Sequence, residues 1–317
     1  MGTFQRNPSR TTAFLMSGGG SLGAVQVGML QALHGNGIRP DLLVGTSVGA
    51  VNAAYLAGHG FSTRSLDDLA EVWTGLGRGD VFPLRPRRAL YAVGGFAPSL
   101  LSDKGLRQLL AAHLRFTALE DAVIGMRAVA TDLVSGRGVV LGHGDALSAV
   151  MASAAIPGLF PPVLREGRTL VDGGLADHAE VLDSLADEVD DIYVMPTGFP
   201  CALQAPPRSA LGVATHALGI LIQQRLVSAV ERYAGSATLH VIPALCPLHV
   251  STVDFSHTAA LIARARVATA GWLDSGGAEV AQPARFLSLH DHGRGASQGT
   301  GSVARPADDP SLSDLNS

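Results

Sequence analysis

Three short stretches of this 317-residue chain combine residue types that do chemistry with the glycines that expose them. The first is Gly45-Thr46-Ser47-Val48-Gly49, which breaks the apolar run Leu42-Leu43-Val44 and continues into Ala50-Val51-Asn52-Ala53-Ala54. A serine with glycines two residues to either side reads as a nucleophile elbow, a sharp strand-to-helix turn in which Gly45 and Gly49 let strand and helix pack closely. Ser47 would then stand at a helix N-terminus, where the helix dipole and unpaired N–H groups favour a developing negative charge. The second stretch, Ser17-Gly18-Gly19-Gly20-Ser21-Leu22-Gly23, is a glycine-rich turn whose N–H groups can cradle an anion. The third, Asp172-Gly173-Gly174, follows the short apolar run Thr169-Leu170-Val171 and carries a carboxylate into a turn. On its own, Asp-Gly-Gly is more often a structural turn than a site.

Each stretch needs an element to hold it. Thr11 to Met16 reads as a buried strand and Ala24 to Leu33 as a helix, so the glycine turn joins strand to helix just as the serine turn does. Gly18-x-Gly20-x-x-Gly23 also fits the dinucleotide fingerprint, with Asp41 at about the spacing of a ribose-binding acid. Position argues against that reading. The acid should end the second strand, whereas Asp41 precedes it and the strand ends in Gly45-Thr46-Ser47. Two adjacent strand–turn–helix units thus present an anion-cradling loop and a serine at one edge of a parallel sheet.

In chain order, Gly-Gly-Gly-x-x-Gly, Gly-x-Ser-x-Gly and Asp-Gly-Gly resemble the patatin-like phospholipases, whose serine and aspartate form a catalytic dyad. The likeness extends to Met151-Ala152-Ser153-Ala154-Ala155-Ile156-Pro157, similar to a segment the family carries ahead of its aspartate, and spans Gly18 to about Val181. The resemblance implies a doubly wound α/β fold with a mostly parallel sheet and helices on both faces. It implies a serine hydrolase acting on carboxylic esters of lipids, with Ser47 as nucleophile and Asp172 as base. The oxyanion hole would be formed by N–H groups around Gly18, Gly19, Gly20 and Ser21, with Gly173 and Gly174 shaping the turn after the aspartate. Two departures stand out. Leu22 occupies a position where the family often has Arg or Lys, and Asp177-His178-Ala179-Glu180 replaces the Asn-x-Pro that commonly follows the aspartate.

Composition narrows the remaining classes. The apolar content of 47% suffices for a substantial core, and 23 basic against 27 acidic residues argue against nucleic acid as a partner. The one lysine, Lys104, lies on an amphipathic stretch from Asp103 to Leu114, and no Gly-Lys-Ser/Thr follows the glycine loop, which excludes a P-loop. Cys201 and Cys246 are too few for a disulfide framework and lack metal-ligand spacing, so they read as buried thiols in a reducing compartment. Neither a metal nor a cofactor is expected. The first residues have no apolar signal core and the run Leu211 to Ile222 is short of a membrane span, which together predict a cytoplasmic protein able to lie peripherally at a membrane.

Along the chain the pattern predicts a polar arm over 1–10, one domain over 11–287 and a disordered tail over 288–317. Helices are expected at Ser62–Leu76, Asp145–Ser153 and Ser209–Tyr233, and from an N-cap at Ser256 to Leu273. Strands are expected at Arg127–Leu133, Gly138–Leu141, Phe160–Leu164, Asp191–Pro196 and Thr238–Ile242. Residues 81–101, with Phe82, Leu84, Leu90, Tyr91 and Phe96 beside Arg85, Arg87 and Arg88, read either as a lid that touches membrane lipid or as an excursion packed on the body. Three functional alternatives stay open at this level. A Ser-His-Asp hydrolase would draw its base from His216, His240, His249 or His257. A catalytically weak lipid-binding or regulatory protein and an acyltransferase share the same motifs.

Overall fold

In the computed structural model of the protein, residues 10–83, 91–92, 94, 96–203, 205–279 and 283–287 are described. Of the expected arm over 1–10, residues 1–9 lie outside them, as does the whole of the expected tail over 288–317. The chain opens with two strand–turn–helix units, β1 (Thr12–Met16) with α1 (Gly23–Gly35) and β2 (Leu42–Thr46) with α2 (Val48–His59). Among the described residues, α3 (Thr63–Gly75), α4 (Arg78–Val81) and α5 (Lys104–His113) follow. Next come β3 (Gly125–Asp132), β4 (Gly138–Leu141), α6 (Ala146–Ser153), β5 (Val163–Arg165) and β6 (Arg168–Asp172). The remainder is α7 (His178–Ala186), β7 (Asp191–Met195), α8 (Ala210–Arg232), β8 (Thr238–Val241) and α9 (Thr258–Asp274).

The strands form one mixed sheet in the order β5-β6-β3-β2-β1-β7-β8, with β4 also paired to β3. Strands β3, β2, β1, β7 and β8 are mutually parallel, and the antiparallel pairs are β4 and β6 with β3 and β5 with β6. The expected α/β class with a mostly parallel sheet is what the chain adopts. Strands buried on both faces need continuous apolar runs, and β1 with its Thr-Ala-Phe-Leu-Met is buried throughout. Alternate side chains divide between two cores. Leu15, Val44, Val129 and Val194 meet Leu182, Leu185 and Leu226 of α7 and α8. Phe14, Met16, Leu43 and Tyr193 face the core that holds α1, α2 and α9.

Chain order reverses at β1. From there the chain passes to β2 on one side, while β7 joins on the other. In such sheets the crevice outside the C-terminal ends of the strands at the reversal is where ligands bind, and the glycine turn after β1 lies there.

Several elements differ from expectation for identifiable reasons. Strand β5 begins at Val163 rather than Phe160, because Pro161 and Pro162 have no N–H to give a ladder. Ser256 does not cap α9. Its hydroxyl is engaged with Asp254 at 2.7 Å, and His257 occupies the cap position. The helix expected over Ser209–Tyr233 is present as α8, but its apolar run is not short of a membrane span as expected: the 21 residues Gly212–Arg232, of mean hydropathy 1.2, meet the length and composition of one. Leu226, Ala229 and Val230 of its second half are nevertheless buried against the sheet, which makes that half a helix of the domain.

Helices α1 and α9 meet through Gly28, where an added Cβ would lie 2.1 Å from the Ile262 carbonyl oxygen. In α9, Gly271 has nothing within 4 Å of the same position. Gly28→Ala is therefore expected to destabilise by about 1–3 kcal/mol through overpacking, whereas Gly271→Ala should stabilise by about 0.5–1 kcal/mol by removing a helix-interior glycine. Denaturant unfolding of both variants checks the opposite signs.

Candidate active site

The register along β3 brings the chemistry together. Its residues Gly125–Val129 pair with β2, Ala128–Thr131 with β4 and Ala130–Asp132 with β6. Because the β4 pairing overlaps both others, β2 and β6 must share the opposite edge. Thr46 sits opposite Val129 and Asp172 opposite Ala130, one residue further on. Asp172 therefore ends β6 where the elbow leaves β2.

Ser47 is buried and held at φ 55°, ψ −123°, a left-handed backbone that a non-glycine residue adopts only when its surroundings enforce it. The enforcement is visible. The Ser47 N–H donates to Ser153 Oγ at 2.9 Å, and that hydroxyl donates onward to the Val129 carbonyl at 2.6 Å. Both elbow glycines are close-packed as the motif implies: a Cβ on Gly49 would fall 2.2 Å from the Met16 carbonyl oxygen, and one on Gly45 would fall 2.4 Å from Ala50 Cα.

The Ser47 side chain lies beside the Asp172 carboxylate, close enough to lower its pKa, and both residues line one cleft. Asp172 is fixed in turn: its N–H donates to the Ala155 carbonyl at 2.9 Å, its carbonyl accepts from Thr131 Oγ1 at 3.0 Å, and its Oδ1 accepts from the Gly174 N–H at 2.8 Å. A Cβ on Gly173 would meet the Val129 carbonyl oxygen at 2.1 Å, so this turn too requires glycine. Burial raises the Asp172 carboxyl from its usual range to about 6, and the neighbouring Ser47 side chain and the Gly174 N–H hold it from rising further.

The glycine loop lies over the serine, with Gly18 so near that a Cβ there would be 3.0 Å from Ser47 Cβ. Two clamps from other loops set its path. Thr197, just past β7, donates from Oγ1 to the Gly18 carbonyl at 2.5 Å and fills the space beside Gly19, where a Cβ would lie 2.1 Å from that oxygen. Thr252, beyond β8, accepts the Ser21 N–H at 2.8 Å and backs Gly20, which has φ +60°. This bond takes the Ser21 N–H out of the expected donor set. Among the described residues, the Gly19 and Gly20 N–H groups have no backbone acceptor. Beneath the loop, buried Gln26 donates to the Ser17 and Met195 carbonyls at 2.9 and 3.1 Å. Asn52 donates to Gln26 and the Gly23 carbonyl, and the Trp73 N–H donates to Asn52. Leu22 is fully buried in the apolar core, so that position presents no side chain to a bound anion.

Two clefts meet at Ser47. One, of about 80 Å³, is apolar and runs between α2, α3 and α5 past Val51, Leu69, Leu106 and Leu110. The other, of about 50 Å³, includes Asp172 and is walled by Thr215, Leu218, Gly219 and Ile222 of α8. Phe82 lines both and packs on Phe160 and Phe255, with ring centroids 5.6 and 6.1 Å away. Within the segment read as either a lid or a packed excursion, Phe82 belongs to the body, while Tyr91 and Phe96 are 61% and 82% exposed. Leu84, Arg85, Arg87, Arg88 and Leu90 lie outside the described residues.

Among the described residues the candidate histidines do not complete a triad. His240 is bonded to Asp191 at 2.9 Å and to the Ala278 carbonyl, and it stacks on Tyr193. His249 is bonded to the Ala202 carbonyl and His257 faces Asp254. His216 lies on α8 but lines neither cleft. His113 does line the apolar cleft, packed near Tyr55, which stands two turns or about 12 Å along α2 from Ser47. His178 begins α7, is buried and is lowered to about 4 by desolvation. Sequence reasoning missed Thr197, Thr252, Gln26 and Asn52. It included Ser153 in a motif without giving it a task. Among the described residues no group of His, Cys, Asp and Glu has the arrangement of a metal site.

With its carboxyl raised, Asp172 favours the folded state fully only below its unfolded value near 4, and that contribution is lost as pH rises through about 6. Asp172→Asn keeps the acceptor for Gly174 and removes the buried charge. It should melt several degrees above the wild type at pH 8, on the order of 3 kcal/mol, and converge with it at pH 4. Thermal melts across that range check the sign, and a wild type more stable than the variant at pH 8 would contradict the assigned burial cost.

A family model for patatin-like phospholipases matches residues 14–183, a stretch that contains the glycine loop, the elbow and Asp172. The lysophospholipase NTE1 of Pyricularia oryzae is 27% identical over 197 residues, covering 60% of this chain and 12% of that protein. An uncharacterized NTE family protein of Mycobacterium bovis is 28% identical over 261 residues, covering 75% of this chain and 41% of its own length. The chain thus spans less than half the length of either relative. Among solved structures, VipD from Legionella pneumophila aligns over 84% of this chain and 67% of its own, at 17% identity and a TM-score of 0.45.

Proposed function

The chain belongs to the patatin-like phospholipase family, and from that premise we propose that it is a lipid acyl hydrolase in which Ser47 is the nucleophile and Asp172 its general base. The observation that carries this reading is the placement of Ser47 beside the buried Asp172 carboxylate, where an apolar cleft and a second groove meet. Ser47 attacks the ester carbonyl while Asp172 takes its proton. The resulting acyl-enzyme is opened by water, with Asp172 first protonating the leaving alkoxide and then activating the water. The carbonyl oxygen becomes an oxyanion beside the glycine loop, where the Gly19 and Gly20 N–H groups are the donors at hand. A preorganised donor of this kind contributes about 3–4 kcal/mol to the transition state.

Burial does two things for the base. It raises the Asp172 carboxyl to about 6, closer to a working pH, and it excludes the water that would otherwise weaken each charge–dipole contact. The apolar cleft suits an acyl chain, since each methylene moved out of water there contributes about 0.8 kcal/mol. The α8 groove, with Thr215 and Asp172 among its polar groups, is left for the alcohol portion.

The route to substrate runs over α8 in this reading. Thr215, Leu218, Gly219 and Ile222 face the groove, while Val213 and Leu221, at i and i+8, are 52% and 40% exposed on another face. No charged residue lies between Leu211 and Gln224. Exposed Tyr91 and Phe96 add apolar surface, so the protein contacts membrane lipid peripherally through these residues together with the first half of α8.

Fluorophosphonate should label Ser47, and Ser47→Ala should abolish both labelling and ester turnover on a panel of soluble and phospholipid esters. Labelling of another serine would refute the assignment. For the wild type, kcat/KM should rise with pH through about 6 to a plateau, and Asp172→Asn should lower kcat by at least about 10²-fold. The double change Val213→Asp with Leu221→Asp should reduce hydrolysis of vesicle phospholipid about tenfold or more while sparing a short soluble ester. Equal losses on the two substrates would reject surface docking through α8.

A further inference from the structure

The two cysteines, 45 residues apart in sequence, place their sulfurs 3.9 Å from each other. Neither is deeply buried, Cys201 being half-buried and Cys246 exposed, which corrects the expectation of buried thiols. Their surroundings are already tied together: the Ala202 N–H donates to the Leu248 carbonyl at 3.1 Å, and His249 bonds back to the Ala202 carbonyl. Sulfurs in van der Waals contact on two adjoining, cross-bonded loops need only side-chain rotation and a small backbone adjustment to reach a bond of about 2.05 Å.

What these loops hold gives the pair its meaning. Cys201 follows Thr197 by four residues, and Cys246 precedes Thr252 by six. Thr197 clamps the glycine loop at Gly18 and Gly19, and Thr252 clamps it at Ser21. The dithiol therefore joins the two segments that grip the glycine loop from either side.

We propose that Cys201 and Cys246 form a reversible intramolecular disulfide, made by exchange with a low-molecular-weight disulfide, that locks the Thr197 and Thr252 clamps onto the glycine loop. In the first step a thiolate of the pair attacks one sulfur of the small disulfide. The S–S bond breaks, a small thiolate leaves and it takes up a proton. The second cysteine, as thiolate, then attacks the protein sulfur of the mixed disulfide and expels the second small thiol. Two protein thiols are oxidised by two electrons in total, and one small disulfide is reduced to two thiols. The Cys246 thiol is pushed up to about 12 by burial and by its neighbour, so exchange is slow at neutral pH and faster in alkali, as expected of a structural couple. Nothing in this step depends on ester chemistry.

The test uses the full chain at low micromolar concentration, treated with oxidised glutathione and then freed of it. Intact mass should show a monomer lighter by two hydrogens with no retained glutathione, and both thiols should be silent to Ellman's reagent in denaturant until dithiothreitol is added. Closing a loop of this length should raise the Tm by roughly 5 °C, and the rise should disappear with dithiothreitol. Cys246→Ser should instead retain one glutathione on Cys201 and show no rise in Tm. Amide exchange over 17–23 should slow in the oxidised wild type and stay unchanged in Cys246→Ser. Persistence of both thiols, a disulfide found only between chains, or exchange over 17–23 that ignores oxidation would each overturn the proposal.

Discussion

The site depends on one close approach, the first turn of α2 lying against the end of β1. With a Cβ on Gly49 the Met16 carbonyl oxygen would be 2.2 Å away, so the two strand–turn–helix units come together only because that position is bare. From this contact the rest follows. The glycine loop leaving β1 must pass over Ser47, and Ser47 must take a left-handed backbone to keep α2 in register behind it. A strained residue of this kind costs about 1–3 kcal/mol and persists only when surrounding bonds over-determine it. Here Ser153 holds the Ser47 N–H from the far side of the elbow, while Gln26 and Asn52 hold the carbonyls of the loop.

Burial of charge is the second constraint, and it acts in opposite directions on two neighbours in sequence. Asp172 is raised to about 6, so its contribution to stability declines as pH rises between about 4 and 6. His178, lowered to about 4 by desolvation, contributes stability above about 6.5 that is lost as pH falls toward 4. The two slopes oppose each other across the same window. Between these two groups, the stability that Asp172 withdraws on ionising is offset by what His178 supplies on losing its proton.

Much of this was legible in the residues, and what was not has a common cause. Glycine spacing announced both turns, because close approach and left-handed backbone exclude other side chains, and the apolar runs announced β1, β2 and β7. Asp172 was weaker: Asp-Gly-Gly marks a turn, and only the order of the three motifs singled it out. Its place beside Ser47 is set by register on β3, which depends on β4 and β6 returning antiparallel, and a pairing between distant segments leaves no local pattern. Thr252 acts through a carbonyl that any residue could supply, and Thr197 through a single hydroxyl. The approach of Cys201 to Cys246 is likewise a product of tertiary packing, invisible to spacing rules built for short motifs.

Helix α8 shows why composition misjudges an element that serves two environments. Its second half is a core helix, with Leu226, Ala229 and Val230 buried against the sheet and Gln223 bonded to the Leu287 carbonyl at 3.1 Å. Its first half has one apolar face along the groove that contains Asp172 and another toward solvent. Averaged over 21 residues these halves imitate a membrane span, yet only the first leaves apolar surface unmatched by protein. Few buried contacts also mean a low free energy of local opening, so the half-helix beside the groove is held less firmly than the half that anchors it. If α8 meets lipid as proposed, the contact falls on this less firmly held half, whose other face walls the groove beside Ser47 and Asp172.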